Sequence, residues 1–317
     1  METRRLRLLL ELSRLGSMRE VAEQLGTTTS TVSQQIAVLA TEYGTTLIEP
    51  DGRRVRLTPA GRRLAEHAVT ILAAHEAAHA DLDPGAVPAG TVRVAGFATA
   101  IRHSLLPIIT RLADTHPRVR LVVREHEPAE ATALLAADEV DLALSYDYNL
   151  APAAADRALE SVPLWSTAFG LGVSDPDPGG TERTGGEAAA VFAGFRGHDW
   201  IGNSRNSADE DVIRVLASTA GFEPRVTHQA DSLELVEDMI VAGLGVGLLP
   251  ADRVTRPGVR ILPLTRPDVV LRAHTLVRRG RGHWPPLALL LDLLTGGSAP
   301  DPGRSAPAEP AGAPARR

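Results

Sequence analysis

The sequence predicts a small helical head with a β wing, a long helix behind it, and an α/β body with parallel strands. Three observations carry this expectation. Residues 17–61 hold two short amphipathic segments around a tight turn, followed by an arginine-studded hairpin. Residues 58–83 keep one apolar stripe at helical spacing. From Thr91 onward, short apolar strands alternate with helical segments, the pattern of crossover connections on a sheet.

Ser17 with Glu20 three residues on reads as a capping box, and Met18, Val21, Ala22 and Leu25 then keep helical spacing. Gly26 can take the left-handed conformation that stops this helix, and the polar run from Thr27 to Thr31 offers caps for a second one with Val32, Ile36 and Leu39 inward. Thr28, Thr29, Ser30, Thr31, Ser33, Gln34 and Gln35 are thereby expected near its N-terminus or on its outer face, where hydroxyls and amides meet phosphates and base edges. Asp51-Gly52 and the alternation that follows read as a hairpin whose Arg53, Arg54 and Arg56 can grip a phosphate backbone. Thr58 and Pro59 open the next helix as cap and first residue. A solvated charge run is the competing reading, and the agreement of charge, turn chemistry and helix pattern opposes it.

These residues resemble the LysR-type transcriptional regulators. The likeness rests on Gly16-Ser17, Ala22, Leu25, Val32-Ser33, Gln35-Ile36, Leu39, Gly44, Leu47, Arg53 to Thr58 and Ala60-Gly61. Departures are Thr28-Thr29-Ser30 where the family usually has Ser-Gln-Pro, Ala40 for a Glu, Pro50 for an Arg, and Gln34 for a frequent Arg. AGLGVGLLP, AGFEP and LLPIITRLADTHPRVRL extend the likeness to about residue 295. It implies a winged helix-turn-helix DNA-binding domain over 1–61, a linker and dimerisation helix with its hinge over 58–90, and a two-lobed effector-binding domain over 91–295. That domain is similar to periplasmic binding proteins, with lobe I at 91–164 and 268–295, lobe II at 165–267, and crossing strands near Val162–Ala168 and Leu262–Val269. Double-stranded DNA, a small-molecule effector and further copies of the chain, as homodimer or homotetramer, are the implied partners.

Composition agrees. The 317 residues suffice for two or more domains. There is no cysteine, which excludes a disulfide framework, a thiolate metal site and a cysteine nucleophile. The N-terminus lacks an apolar leader and no apolar run reaches membrane-spanning length, so a cytoplasmic protein is expected. The net charge of -6 is uneven: over residues 1–66 ten Arg outweigh seven Glu and one Asp, a basic head on an acidic body.

In the body, strands are expected at Thr91–Phe97, Val119–Glu125, Val140–Ser145, Ala168–Val173, Arg225–His228, Gly243–Pro250 and Val270–Val277. Helices are expected at Leu105–Ala113, Ala129–Ala137, Ser207–Ala220, Ser232–Ala242 and Pro286–Leu294. Ser174–Ala190 reads as a loop and Gly296–Arg317 as a disordered tail. Ligands of open α/β folds sit beyond the carboxyl ends of strands. Ala98, Thr99 and Ala100, Tyr146 and Asp147, and Gly202, Asn203 and Ser204 are therefore the candidate effector contacts. Asp147 would repel an anion, so a zwitterionic or cationic effector reconciles it with a helix N-terminus at Thr99, unless Thr99 only caps that helix.

Enzyme readings are thin. His75-Glu76-Ala77-Ala78-His79 matches a zinc-hydrolase pattern, but Pro84-Gly85 breaks the helix and no His, Glu or Asp beyond Asp81 and Asp83 follows until His103. Gly243, Gly245 and Gly247 follow a helix and enter a strand, the reverse of a dinucleotide loop, and no Ser elbow or phosphate loop occurs. The expectation is a regulator without catalytic activity, cofactor or metal. The alternatives are a constitutive DNA binder without an effector and the zinc hydrolase.

Overall fold

The computed structural model describes residues 3–51, 54–83, 87–175 and 185–296. Its head consists of α1 (Thr3–Leu15), α2 (Met18–Gln24), α3 (Thr29–Glu42), strands β1 (Ile48–Asp51) and β2 (Arg54–Leu57), and α4 (Pro59–Leu82). Helix α1 was not anticipated, and it organises the rest. Its Leu8 and Leu12 join Val21, Ala22, Val32 and Ile36 in one apolar cluster, while Leu6, Leu9 and Leu10 join Leu39, Leu47, Leu64 and Ala68 in another. Burying these side chains contributes roughly 1.5–3 kcal/mol each, so α1 fixes both the helix pair and the start of α4.

The expected caps are present. Ser17 accepts from the amide of Glu20, Thr28 from that of Thr31 and Thr58 from that of Gly61. Gly26 takes φ +61 in the turn, where a Cβ would be strained. The stripe of α4 divides: Leu64, Ala68 and Leu72 are buried, Ile71 is half-buried, and His75, Ala78 and Leu82 are exposed, Leu82 by 85%.

The chain forms two compact units. The first takes in Met1–Ser145, Ala155–Pro163 and His274–Gly297. Beyond the head it holds β3 (Gly90–Gly96), α5 (Ala98–Ala100) running through a π-helical turn (Ile101–Leu105) into α6 (Leu106–Thr115), β4 (Val119–Glu125), α7 (Pro128–Ala136), the start of β5 (Leu142–Tyr148) and of β6 (Leu159–Ser174). Strand β3 pairs in parallel with β4 and β5.

The second unit takes in Tyr146–Ala154 and Leu164–Ala273. It holds β7 (Gly186–Glu187), α8 (Ala188–Ala193), β8 (Asp199–Gly202), α9 (Ala208–Thr219), β9 (Arg225–Gln229), α10 (Leu233–Val241), β10 (Val246–Pro250), β11 (Val259–Thr265) and the start of β12 (Val269–Arg278). Strand β12 and helix α11 (Pro285–Gly296) complete the first unit. Strands β8, β9 and β10 pair in parallel as the crossovers predict, but β6 runs antiparallel to β10 and β11, so the sheet is mixed.

Two readings need correction. The loop expected over Ser174–Ala190 ends early: Gly186 and Glu187 pair with β11, and Ala188, fully buried, starts α8. Residues 176–184 of that loop and the tail beyond 296 lie outside the described residues. Of the two expected crossing segments, Val162–Ala168 falls within the long strand β6, whereas Leu262–Val269 spans the end of β11 and the start of β12. Gly243 (φ +75) supplies the left-handed turn that ends α10, and Gly245 (φ +158) is a packing glycine: a Cβ there would stand 2.4 Å from the Asp199 carbonyl oxygen.

Candidate nucleic-acid interface and sensor cluster

Helix α3 buries Val32, Ile36 and Leu39 and leaves Thr28, Thr29, Ser30, Ser33 and Gln34 exposed, with Thr31 half-buried. Thr28 Oγ1 lies 2.8 Å from both Ser30 Oγ and Thr31 Oγ1, so the cap and its neighbours form one hydroxyl network at the helix N-terminus. Gln35 departs from the expectation. It is half-buried, and its Oε1 accepts from Arg5 Nε of α1 at 2.9 Å, so it braces the helix pair from behind.

In the wing, β1 and β2 pair antiparallel with Glu49 opposite Arg56, whose Nε stands 3.1 Å from Glu49 Oε1. Arg56 is therefore tied to an acid of its own hairpin, which the sequence reading missed because register brings them together. Arg54 begins β2, and Arg53 lies outside the described residues.

In the first unit, Ala98 is exposed, Thr99 half-buried and Ala100 fully buried, which leaves Ala100 no side-chain surface for a ligand. Thr99 stands within α5 and is not its cap, which falls on Phe97. The π-helical turn that follows is a feature enriched at functional sites.

The second unit gathers a polar cluster. Buried Tyr146 accepts at its hydroxyl from Asn206 Nδ2 at 3.2 Å. Tyr148, also buried, donates to Asp209 Oδ1 at 2.7 Å, and buried Asn203 Oδ1 accepts from the Asp209 amide at 2.8 Å. The Asn203 side chain also hydrogen-bonds the Asp209 carboxyl, and no cation pairs with that acid among the described residues. Burial pushes Asp209 up to about 6, with the Tyr148 bond pulling it back and the charge of Asp231 pushing it further up. Burial, then the Asp209 charge, holds the Tyr148 phenol well above its usual value.

Two candidates are otherwise engaged. Asp147 is gripped in a fork by Arg272, Nε to Oδ1 at 2.9 Å and Nη2 to Oδ2 at 2.8 Å, so its charge is neutralised and the argument that it repels an anion falls. Ser204 bonds Asp231 through both its hydroxyl and its amide. Tyr148, Asn206 and Asp209 were missed by the sequence reading. The available signal was Asn203, Asn206 and Asp209 spaced by three across a helix start, and a second tyrosine two residues along β5.

This fold and these surfaces define a helix-turn-helix DNA-binding protein with a sensor domain. The chain matches the family described as bacterial regulatory helix-turn-helix protein, lysR family, over residues 3–62 and LysR substrate binding domain over residues 85–298. It belongs to the LysR family and is a LysR-type DNA-binding transcriptional regulator. Among its relatives are the transcriptional dual regulator GltC of Bacillus subtilis (27% identical over 276 residues, 85% of this chain and 88% of GltC) and the dual regulator OxyR of Escherichia coli (26% over 274 residues, 84% and 86%). Full-length OxyR C199D from Pseudomonas aeruginosa shares the fold with a TM-score of 0.68 at 18% identity, covering 93% of this chain and 94% of that one. ArgP from Mycobacterium tuberculosis does so at 0.65 and 21%, covering 93% and 97%.

Proposed function

We propose that the regulator reads its operator with Thr29, Ser30, Ser33 and Gln34 while Arg53 and Arg54 hold phosphates, and that a small molecule taken up by the Tyr146–Asn206 cluster of the second unit changes those contacts. The effector carries a hydrogen-bond donor or a positive charge. The observation that supports this is Asp209: an acid ringed by a phenol and an amide, with no basic partner among the described residues and a raised pKa, is the arrangement of a ligand-binding group. Asp147 and Ser204, satisfied within the second unit, orient the cluster. Linkage then works by differential affinity of the effector for two arrangements of the protein.

The protein acts in the cytoplasm as a homodimer or homotetramer. The exposed Ala78 and Leu82 on the second half of α4 supply an apolar strip for a second copy. Several relatives are described as hydrogen peroxide-inducible genes activators. This sequence offers no thiolate for peroxide to oxidise. The His75 and His79 rings stand 4.6 Å apart with no third metal-binding side chain beside them among the described residues, so this pair lends the zinc-hydrolase alternative no support.

Thermal-shift screening of amines, amino acids and carboxylates, followed by footprinting with and without the hit, tests the effector reading. A hit that protects the protein, shifts the footprint and loses affinity with Asp209→Asn sustains it. A footprint indifferent to every stabilising compound favours the constitutive DNA binder. Arg53→Ala with Arg54→Ala is expected to flatten the salt dependence of operator binding by about 0.9 per lost phosphate contact, and an unchanged slope removes the wing arginines from the interface.

A further inference from the structure

Within the first unit, a continuous line of hydrogen bonds and ion pairs runs from the helix-turn-helix into the sensor fold, and neither DNA reading nor the effector cluster uses it. Gln24 of α2 donates to Glu11 Oε2 at 3.2 Å, and Glu11 Oε1 pairs with Arg14 Nη1 at 3.0 Å on the last turn of α1. Arg14 then leaves the head. Its Nε stands 2.9 Å from Asp138 Oδ2 and donates to the Asp138 carbonyl oxygen at 3.3 Å. Asp138, in the turn between α7 and β5, also pairs with Arg278 at the end of β12 and lies 3.7 Å from Arg93 of β3. A second contact runs alongside: Thr70 of α4 donates to the Arg279 carbonyl oxygen at 3.1 Å, and a Cβ on Gly280 would come 2.5 Å from Thr70 Cγ2.

The members of this line are not equally bound. Asp141 is forked by Arg93 at 3.0 and 2.9 Å and takes the Arg93 amide as well, so breaking that pair strands buried charge, a costly event. The Arg14 contact differs on three counts. Asp138 Oδ2 makes no aligned hydrogen bond, so Arg14 offers it charge without directional bonding. Asp138 keeps Arg278 when Arg14 departs. Arg14 keeps Glu11, and its side chain already reaches solvent. Opening this one joint leaves no isolated buried ion.

We propose that Arg14 and Asp138 form a releasable latch that holds the DNA-binding head in one orientation on its own sensor lobe, and so restricts which operator spacing a pair of heads can reach. The position suits transmission. Asp138 lies in the turn that leads into β5 and its partner Arg278 ends β12, the two strands that continue into the second unit, while Arg14 sits on the helix whose apolar faces hold α2, α3 and α4 in place.

The absence of cysteine makes the test direct. Thr41→Cys and Arg120→Cys, both exposed, take nitroxide labels in a chain with no competing thiol, and labelled chains diluted into excess unlabelled protein report the distance within one chain. Electron double-resonance is expected to give a narrow distribution for the protein with Arg14 intact and a broad or shifted one for Arg14→Ala, with unchanged unfolding of the sensor domain. Arg14→Gln, which keeps the packing of the stem, guards against misfolding and is expected to behave alike. On an operator selected from genomic DNA and on copies with half-sites moved by one to three base pairs, both variants are expected to lose about fivefold or more of the discrimination between spacings. A distribution already broad with Arg14 intact, or spacing discrimination unchanged in both variants, overturns the proposal.

Discussion

The ionic junction of the first unit and the polar cluster of the second both enclose aspartates, and they treat them in opposite ways. Burial pushes Asp141 up, but the Arg93 hydrogen bonds and charge, helped by Arg281, bring it below the usual carboxylate range. Asp209 meets the same burial with a phenol, an amide and a second acid around it, and stays near 6. Asp138 is the intermediate case: burial pushes it up although three guanidiniums face it, since only its Oδ1 takes a hydrogen bond, from Arg278, and charge alone at Oδ2 recovers only part of the lost hydration. A saturated acid is architecture, and an unsaturated one is kept at a cost that a ligand can relieve.

The sharpest way to break this contrast is Asp141→Ala. It leaves Arg93 and Arg281 buried without their shared anion, and a loss of about 3–5 kcal/mol is expected in urea unfolding. A loss below 1 kcal/mol would place Asp141 on the footing of a surface pair.

Asp209→Asn should move stability the other way. The folded acid titrates near 6 and the unfolded one near 4, so the native state holds its proton longer, and its contribution falls as pH rises from about 4 to about 6. The variant is expected to gain up to about 3 kcal/mol over the parent above pH 6.5, with the two converging below pH 4. Parallel curves across that window would refute the raised pKa.

Tyr148→Phe removes the phenol donor to Asp209 Oδ1 and is expected to cost about 1–3 kcal/mol, and to move the Asp209 titration to still higher pH. The smallest effect belongs to Arg56→Ala. Its partner Glu49 is exposed, so stability should change by less than about 1 kcal/mol. Any loss of operator affinity then reports a DNA contact, and an unchanged salt slope confines Arg56 to pairing within the wing.

Local signals were strong where chain neighbours act on one another. Ser17, Thr28 and Thr58 as caps, Gly26 as a turn, and Val32, Ile36 and Leu39 as an inner face all follow from spacing along a helix. The site was legible only in outline. Tyr146 and Asn203 could be named because strand ends mark clefts in α/β folds, but the partners of Asp147, Gln35 and Arg56 were not foreseen. Each partner comes from elsewhere: Arg272 is 125 residues from Asp147 and Arg5 is 30 from Gln35, while register brings Glu49 opposite Arg56.

Sequence by itself determined the head, the long helix, the alternation of strands and helices, and the supply of hydroxyls and arginines on one short stretch, since hydrophobic period and turn chemistry are local properties of the chain. Tertiary structure alone decided which charges are spent and which are left open. An aspartate's chemistry depends on what stands within a few ångströms, and long-range pairing gave Asp141 its arginines, gave Asp147 its fork, gave Arg14 a partner in the sensor lobe, and left Asp209 without a cation.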